Sequence, residues 1–191
     1  MNGAISSLFS LLPPHSFVMG RKANPGAVTP EVSAHSSVCS FCGGEFHSVE
    51  MTGDANPKFV FSVQGPTDPA QRFEDSPEGQ LFSKIKEAMK LGSQGAALWV
   101  RRGAPSESDA AICASFQLKE LKKQGAGIVV ALGEAAGRGI LGSGLSLQEL
   151  RGRLHLHHGI EVLVTESLTG MLANPNLKKQ AWEDLKLALK S

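Results

Sequence analysis

The segment Gly127-Ile-Val-Val-Ala-Leu132 is a continuous apolar run that ends at Gly133. A run without polar residues at alternate positions is typical of a central parallel strand that is buried on both faces. Three further β-rich runs lie at 58–63 (KFVFSV), 96–100 (AALWV) and 160–164 (IEVLV). The sequence therefore predicts a sheet built from these four runs, with GIVVAL at its centre.

Helical patterns alternate with the four β-rich runs. Residues 79–91, 109–123 and 134–141 carry apolar side chains at helical spacing, and a last helix is expected to begin at Asn174-Pro175. Because strands that alternate with helices form a parallel sheet covered on both faces, we expect an α/β fold. The predicted architecture is a three-layer α/β/α domain with a central, mainly parallel four-stranded sheet.

The length of 191 residues and the composition of the chain indicate one folded domain with a tail. Residues 1–37 are rich in Pro, Ser and Gly, so we expect a flexible N-terminal tail followed by a folded domain over 38–191. Alternatively, the tail is a docking peptide for a protein partner. Its apolar residues Leu8, Phe9, Leu11 and Leu12 could form one short turn. No apolar run is long enough to cross a membrane, and no basic segment precedes Ile5–Leu12. We expect a cytoplasmic protein.

Several short motifs occur in one order along the chain. They are Cys39-Ser-Phe-Cys42, Cys113, the strand and turn Val129-Val-Ala-Leu-Gly-Glu134, Leu150-Arg-Gly152, Thr165, Asn174-Pro175 and Ala181-Trp-Glu-Asp-Leu185. Together they resemble the iron–sulfur (thermophile-type) uracil-DNA glycosylases over roughly residues 39–190. The resemblance implies the fold of that family, whose members flip uracil out of the DNA and cleave its glycosidic bond.

The resemblance also implies a base pocket made of Gln64, Gly65, Phe73, Ala97 and Ser167. Gln64 stands where the first family motif has an acid, and Gly65 follows it. Phe73 is either the aromatic residue that stacks on uracil or an ordinary core residue. Ala97 stands where the family has an Asn that reads the base edge, and Ser167 stands where the family has a His that stabilises the leaving uracilate.

These replacements remove the chemistry that uracil excision needs. Gln64 cannot take a proton from water, and Ala97 has no hydrogen-bonding group. Ser167 can donate one weak hydrogen bond, while Glu166 beside it opposes the negative charge that develops on the base. We therefore expect a non-catalytic protein of DNA repair or replication, a pseudoenzyme that binds a protein partner or DNA.

Three cysteines match three of the four cluster ligands of the family. Cys39, Cys42 and Cys113 are expected to lie close together, and Arg101 falls near the position of the missing fourth ligand. A [4Fe–4S] cluster normally needs four ligands, so we expect no cofactor. A degenerate cluster remains an alternative, as does zinc with His47 as a fourth ligand.

Two other functions stay open at the level of sequence. One is an active DNA glycosylase with a rearranged pocket that uses Gln64 together with His155 or His157. These two histidines alternate with leucines in RLHLHH, which places them on one face of a strand. The other is a metal-sensing or redox module built on the three cysteines.

Overall fold

The structure is a computed structural model that describes residues 35–38, 48–52, 56–65, 71–92, 96–101, 118–123 and 125–191. Seven strands and six helices lie within these ranges. The strands are β1 (His35–Val38), β2 (Ser48–Thr52), β3 (Phe59–Gln64), β4 (Ala96–Arg101), β5 (Ile128–Leu132), β6 (Leu154–His157) and β7 (Ile160–Thr165). The helices are α1 (Pro77–Ala88), α2 (described over 118–123), α3 (Glu134–Leu141), α4 (Leu147–Leu150), α5 (Leu168–Ala173) and α6 (Asn176–Lys190).

All seven strands form one sheet in the order β1-β2-β4-β3-β5-β7-β6. Its five-stranded part, β4-β3-β5-β7-β6, is mostly parallel, because only the terminal pair of β6 with β7 is antiparallel. β2 and β1 extend the sheet by antiparallel pairing beyond β4. The α/β class with a mainly parallel sheet is confirmed, and the four predicted β-rich runs are the four parallel strands.

The predicted count of four strands is wrong, because the sheet is larger. β1 (HSSV) and β2 (SVEMT) are short and partly polar, so they lack the apolar run that marks a central strand. β6 forms a hairpin with β7 at the opposite edge of the sheet. β1 also crosses the predicted domain boundary at residue 38; the tail over residues 1–34 lies outside the described residues.

Two apolar clusters cover the two faces of the sheet. Alternate residues of a strand point to opposite faces, so Phe61 joins one cluster and its neighbour Val60 joins the other. The first cluster includes side chains of α1, α5 and α6, and the second includes side chains of α2, α3 and α4. Helices therefore flank both faces of the sheet. No helix in the described part of the chain is long and apolar enough to cross a membrane.

Two local signals define helix starts on the first face. The Ser76 hydroxyl caps α1 by accepting a hydrogen bond from Gly79 N at 3.0 Å, and Pro77 is the first helical residue. Asn174 was expected to begin the last helix. It ends the short helix α5 instead, and its side chain accepts a hydrogen bond from Asn176 N at 3.1 Å as α6 begins.

Candidate functional site

The carboxyl ends of β3 and β5 meet at a topological switch point of the sheet. The helix that follows β3, α1, packs on one face, and the helix that follows β5, α3, packs on the other. In open α/β sheets, ligands bind in the crevice outside the carboxyl ends of the strands at such a point. The candidate site is therefore this end of the sheet, which we call the carboxyl edge.

The strand register brings three residues level at the carboxyl edge. Ser62 pairs with Ala131 between β3 and β5, and Leu132 pairs with Thr165 between β5 and β7. Continuing this register places Gln64 beside Gly133, and Gly133 beside Glu166. Because neighbouring strands lie about 4.8 Å apart, the backbones at Gln64 and Glu166 are separated by about 10 Å.

Gly133 allows the end of β5 to approach the segment after β7. Its N–H donates to Thr165 O at 2.9 Å, and its φ of 108° is unfavourable for any residue with a side chain. A Cβ atom at this position would lie 2.9 Å from Ser167 Cβ. The structure therefore brings Gln64, Gly65 and Ser167 of the predicted pocket to one edge, with Gly133 between them.

Ser167 has a structural partner at this edge. It is the N-cap of α5, and its hydroxyl oxygen accepts a hydrogen bond from Gly170 N at 3.0 Å. The short helix α5 was not expected from the sequence. The S-x-x-G spacing over 167–170 is the signal that indicates this cap, because a serine hydroxyl readily bonds the N–H three residues ahead.

Glu166, directly before this cap, is only 5% exposed. Its Oε1 lies 3.6 Å from Arg151 Nη1, and this oxygen has no hydrogen-bond partner among the described residues. A buried carboxylate at this edge concentrates negative charge beside Ser167, because burial weakens the screening that water provides.

Arg151 connects Glu166 to a second buried carboxylate. Arg151 Nε and Nη2 donate to Asp184 Oδ2 at 3.1 and 3.0 Å, and Thr165 Oγ1 donates to the same oxygen at 2.7 Å. Arg151 Nη1 also donates to Gln180 Oε1 at 2.6 Å. We call these five residues, Arg151, Thr165, Glu166, Gln180 and Asp184, the Arg151 network. Three of its members belong to motifs that carry the family resemblance, but no local pattern predicted that they would meet.

Phe73 belongs to the core of the first face. Its side chain is 1% exposed, and its ring packs edge-on against Phe82 with centroids 6.1 Å apart. Of the two interpretations drawn from the sequence, the structure shows the core residue. A ring with no accessible face cannot stack on a flipped base without leaving this cluster.

Ala97 lies too far from the carboxyl edge to line a pocket there. It is the second residue of β4, pairs with Val60, and is fully buried. The β4 residue level with Gln64 is Arg101, four positions further along the strand. At about 3.3 Å per residue, Ala97 is roughly 13 Å below the edge. The family resemblance equates Ala97 with an Asn at the end of a strand, whereas Ala97 lies at the beginning of β4.

The predicted metal ligands Cys39, Cys42 and Cys113 lie outside the described residues, as does His47. Their proximity therefore stays a prediction. Within the ranges that the structure describes, no group of three or more His, Cys, Asp or Glu side chains is arranged to hold a metal ion.

His155 and His157 lie on β6, at the edge of the sheet. His155 Nε2 is 2.6 Å from Leu150 O, and the His157 ring packs edge-on against the His158 ring at 4.5 Å. Partial burial lowers the pKa of His157, and the charge of His158 lowers it further. β6 is three strands away from β3 in the sheet order, or about 14 Å laterally.

No protein-family model matches the chain, and no curated protein matches it either. The resemblance to uracil-DNA glycosylases therefore stays a prediction that rests on the quoted motifs. At the carboxyl edge those motifs supply a glycine, a capping serine and a buried ion network.

Proposed function

We propose that this chain is a non-catalytic protein with a uracil-DNA glycosylase-like scaffold, which acts in DNA repair or replication by binding a partner. The observation that carries the proposal is the chemistry at the end of β7. There, a serine that caps α5 and a buried glutamate occupy the segment that matches the catalytic histidine motif of the family.

Electrostatics argue against uracil excision at this position. The glycosidic bond breaks as negative charge moves onto the base, so a catalytic pocket must present hydrogen-bond donors or positive charge to it. Glu166 lies here with one carboxylate oxygen lacking a donor in the described structure, and the nearby guanidinium of Arg151 is committed to Asp184. Loss of one stabilising donor typically reduces the rate about 10²–10³-fold.

The alternative of an active glycosylase with a rearranged pocket has little geometric support. It requires His155 or His157 to act together with Gln64, but the strand order places these residues about 14 Å apart across the sheet. Phe73, the expected stacking aromatic, is enclosed in the core. The carboxyl edge thus lacks both of these contributions.

A partner of the protein class fits the overall charge better than nucleic acid does. The formal net charge of the chain is +1, which provides little of the general phosphate attraction that dominates DNA affinity. We therefore expect DNA contacts, where they occur, to be secondary to a protein interaction.

An excision assay tests this proposal. Excess protein is incubated with single- and double-stranded oligonucleotides that contain one uracil, and strand cleavage is measured after alkali treatment. We expect no product above the protein-free control. Robust cleavage that is abolished by Gln64→Ala, but retained in the exposed control Gln148→Ala, would establish the alternative activity and refute the proposal.

A further inference from the structure

The first face of the domain carries an apolar groove between α1 and α6. The groove has a volume of about 120 Å³ and is lined by Leu81, Lys84, Ile85, Ala88, Met171, Lys178, Ala181, Trp182 and Leu185. Residues spaced at i, i+3, i+4 and i+7 on α1 form one wall, and residues with the same spacing on α6 form the other. Met171 of α5 lies between them. Seven of the nine lining residues are apolar.

Both polar residues of this lining are lysines. Lys84 is exposed on α1 and Lys178 is exposed on α6, and neither forms an ion pair with another described residue. Three other charged side chains of the two helices have partners of their own. Glu183 pairs with Lys186 at 2.5 Å, and Lys86 Nζ lies 5.3 Å from the Phe82 ring centroid. The groove therefore has an apolar floor and, on each wall, one positive charge that no described carboxylate pairs with.

The volume of the groove favours a peptide side chain over a small-molecule ligand. Small-molecule sites usually have volumes of about 300–1,000 Å³. At about 120 Å³ the groove is too small for such a ligand, but it has room for an apolar side chain of a peptide. A groove walled by two helices is a setting in which a third, amphipathic helix can lay its apolar face.

We propose that this groove binds an acidic amphipathic helix of a partner protein, with an apolar anchor on the floor and carboxylates facing Lys84 and Lys178. The inference rests on the proposed function, because it names the partner chemistry of a binding protein. Charge complementarity selects an acidic segment over a basic one, since like charges across an interface disfavour association.

The test uses the full chain and a labelled helical peptide of about 15 residues, the length of α6, with Leu on one face and Glu elsewhere. Fluorescence anisotropy at low salt measures binding. We expect saturable binding that weakens at least about fivefold in the variant Lys84→Glu/Lys178→Glu and as salt is raised. A peptide with Lys in place of Glu should show the opposite preference for the two proteins.

The matched control is Lys119→Glu/Lys122→Glu, which makes the same charge change on α2, on the other face of the sheet. It should bind the acidic peptide as the unmodified chain does, and Ala88→Glu, which places a carboxylate in the groove, should bind it poorly. Equal weakening by both double variants would overturn the inference. Absence of peptide binding would also overturn it. Either result leaves the uracil-excision outcome, and hence the proposed function, unaffected.

Discussion

Substitution of Arg151 by Met should destabilise the domain strongly. Arg151 Nε and Nη2 both donate to the buried carboxylate of Asp184, and Nη1 lies 3.6 Å from Glu166 Oε1. Arg151→Met keeps much of the side-chain volume but removes the positive partner that the structure shows for both buried carboxylates. After the substitution, Thr165 Oγ1 would be the one remaining donor to Asp184 among the side-chain bonds described here.

The size of the effect follows from these contacts. A hydrogen bond to a charged group contributes about 1.5–3 kcal/mol, so the two bonds to Asp184 together contribute about 3–6 kcal/mol. Removing one partner of a buried ion pair usually costs about 3–5 kcal/mol. The Arg151 side chain is 16% exposed, so water can reach the site and the lower end applies. We expect a loss of about 3 kcal/mol, or a Tm lower by roughly 6–12 °C at about 2–4 °C per kcal/mol.

Urea denaturation followed by circular dichroism measures this loss. Arg153→Met is the matched control, because Arg153 is exposed and donates to the backbone oxygen of Glu149. It should change the free energy of unfolding by less than about 0.5 kcal/mol. Adding Asp184→Asn to Arg151→Met removes one stranded charge and should recover about 1–2 kcal/mol. If Arg151→Met costs no more than the control, the Arg151 network does not stabilise the fold as described.

Two further substitutions test local features of the fold. Gly79→Ala should lower the free energy of unfolding by about 1–3 kcal/mol in urea denaturation, although alanine favours helices, because its Cβ would lie 2.0 Å from Phe73 O. Gly144→Ala, which has open space, is its control, and a stabilised Gly79→Ala would contradict the packing. Hydrogen bonds from the Ser146 hydroxyl and then its backbone N–H lower the pKa of Glu149. Because the folded pKa is depressed, the stabilisation is present above the ordinary carboxyl pKa and is lost as pH falls through the lowered value. Ser146→Ala should raise this pKa in an NMR titration, and an unchanged value would refute the capping interaction.

The parallel centre of the sheet was predictable because burial on both faces leaves a strong local pattern. GIVVAL and its three companion runs contain few polar residues, and each becomes a parallel strand. β1 and β2 were missed because HSSV and SVEMT resemble loop segments. They become strands because β2 pairs with β4 and β1 pairs with β2. Boundaries shift by a residue or two where a cap decides them, as at Ser76 and Asn174.

The candidate site was predictable only in part, because its contacts join distant positions. Gln64 and Ser167 lie at the carboxyl edge because Gln64 is the last residue of β3 and Ser167 comes two residues after β7. Glu166 is buried beside Arg151, which comes 15 residues earlier in the chain, and Ser167 caps a helix of only six residues. Ala97 was placed wrongly in depth because a motif comparison gives order along the chain but not the residue at which a strand begins.

The strand order also affects how the chain can assemble during its synthesis. β3 pairs with β5 through partners such as Phe59 and Ile128, which are 69 residues apart (128 minus 59), whereas the β6–β7 hairpin pairs His157 with Ile160. Such long-range parallel pairing costs loop-closure entropy before the favourable contacts form, so the sheet is expected to fold slowly. At about 5–20 residues per second, a ribosome needs roughly 3–14 s to deliver β5 after β3. During that interval one side of an apolar strand has no partner, and a chaperone that shields extended segments would have most to protect at β3.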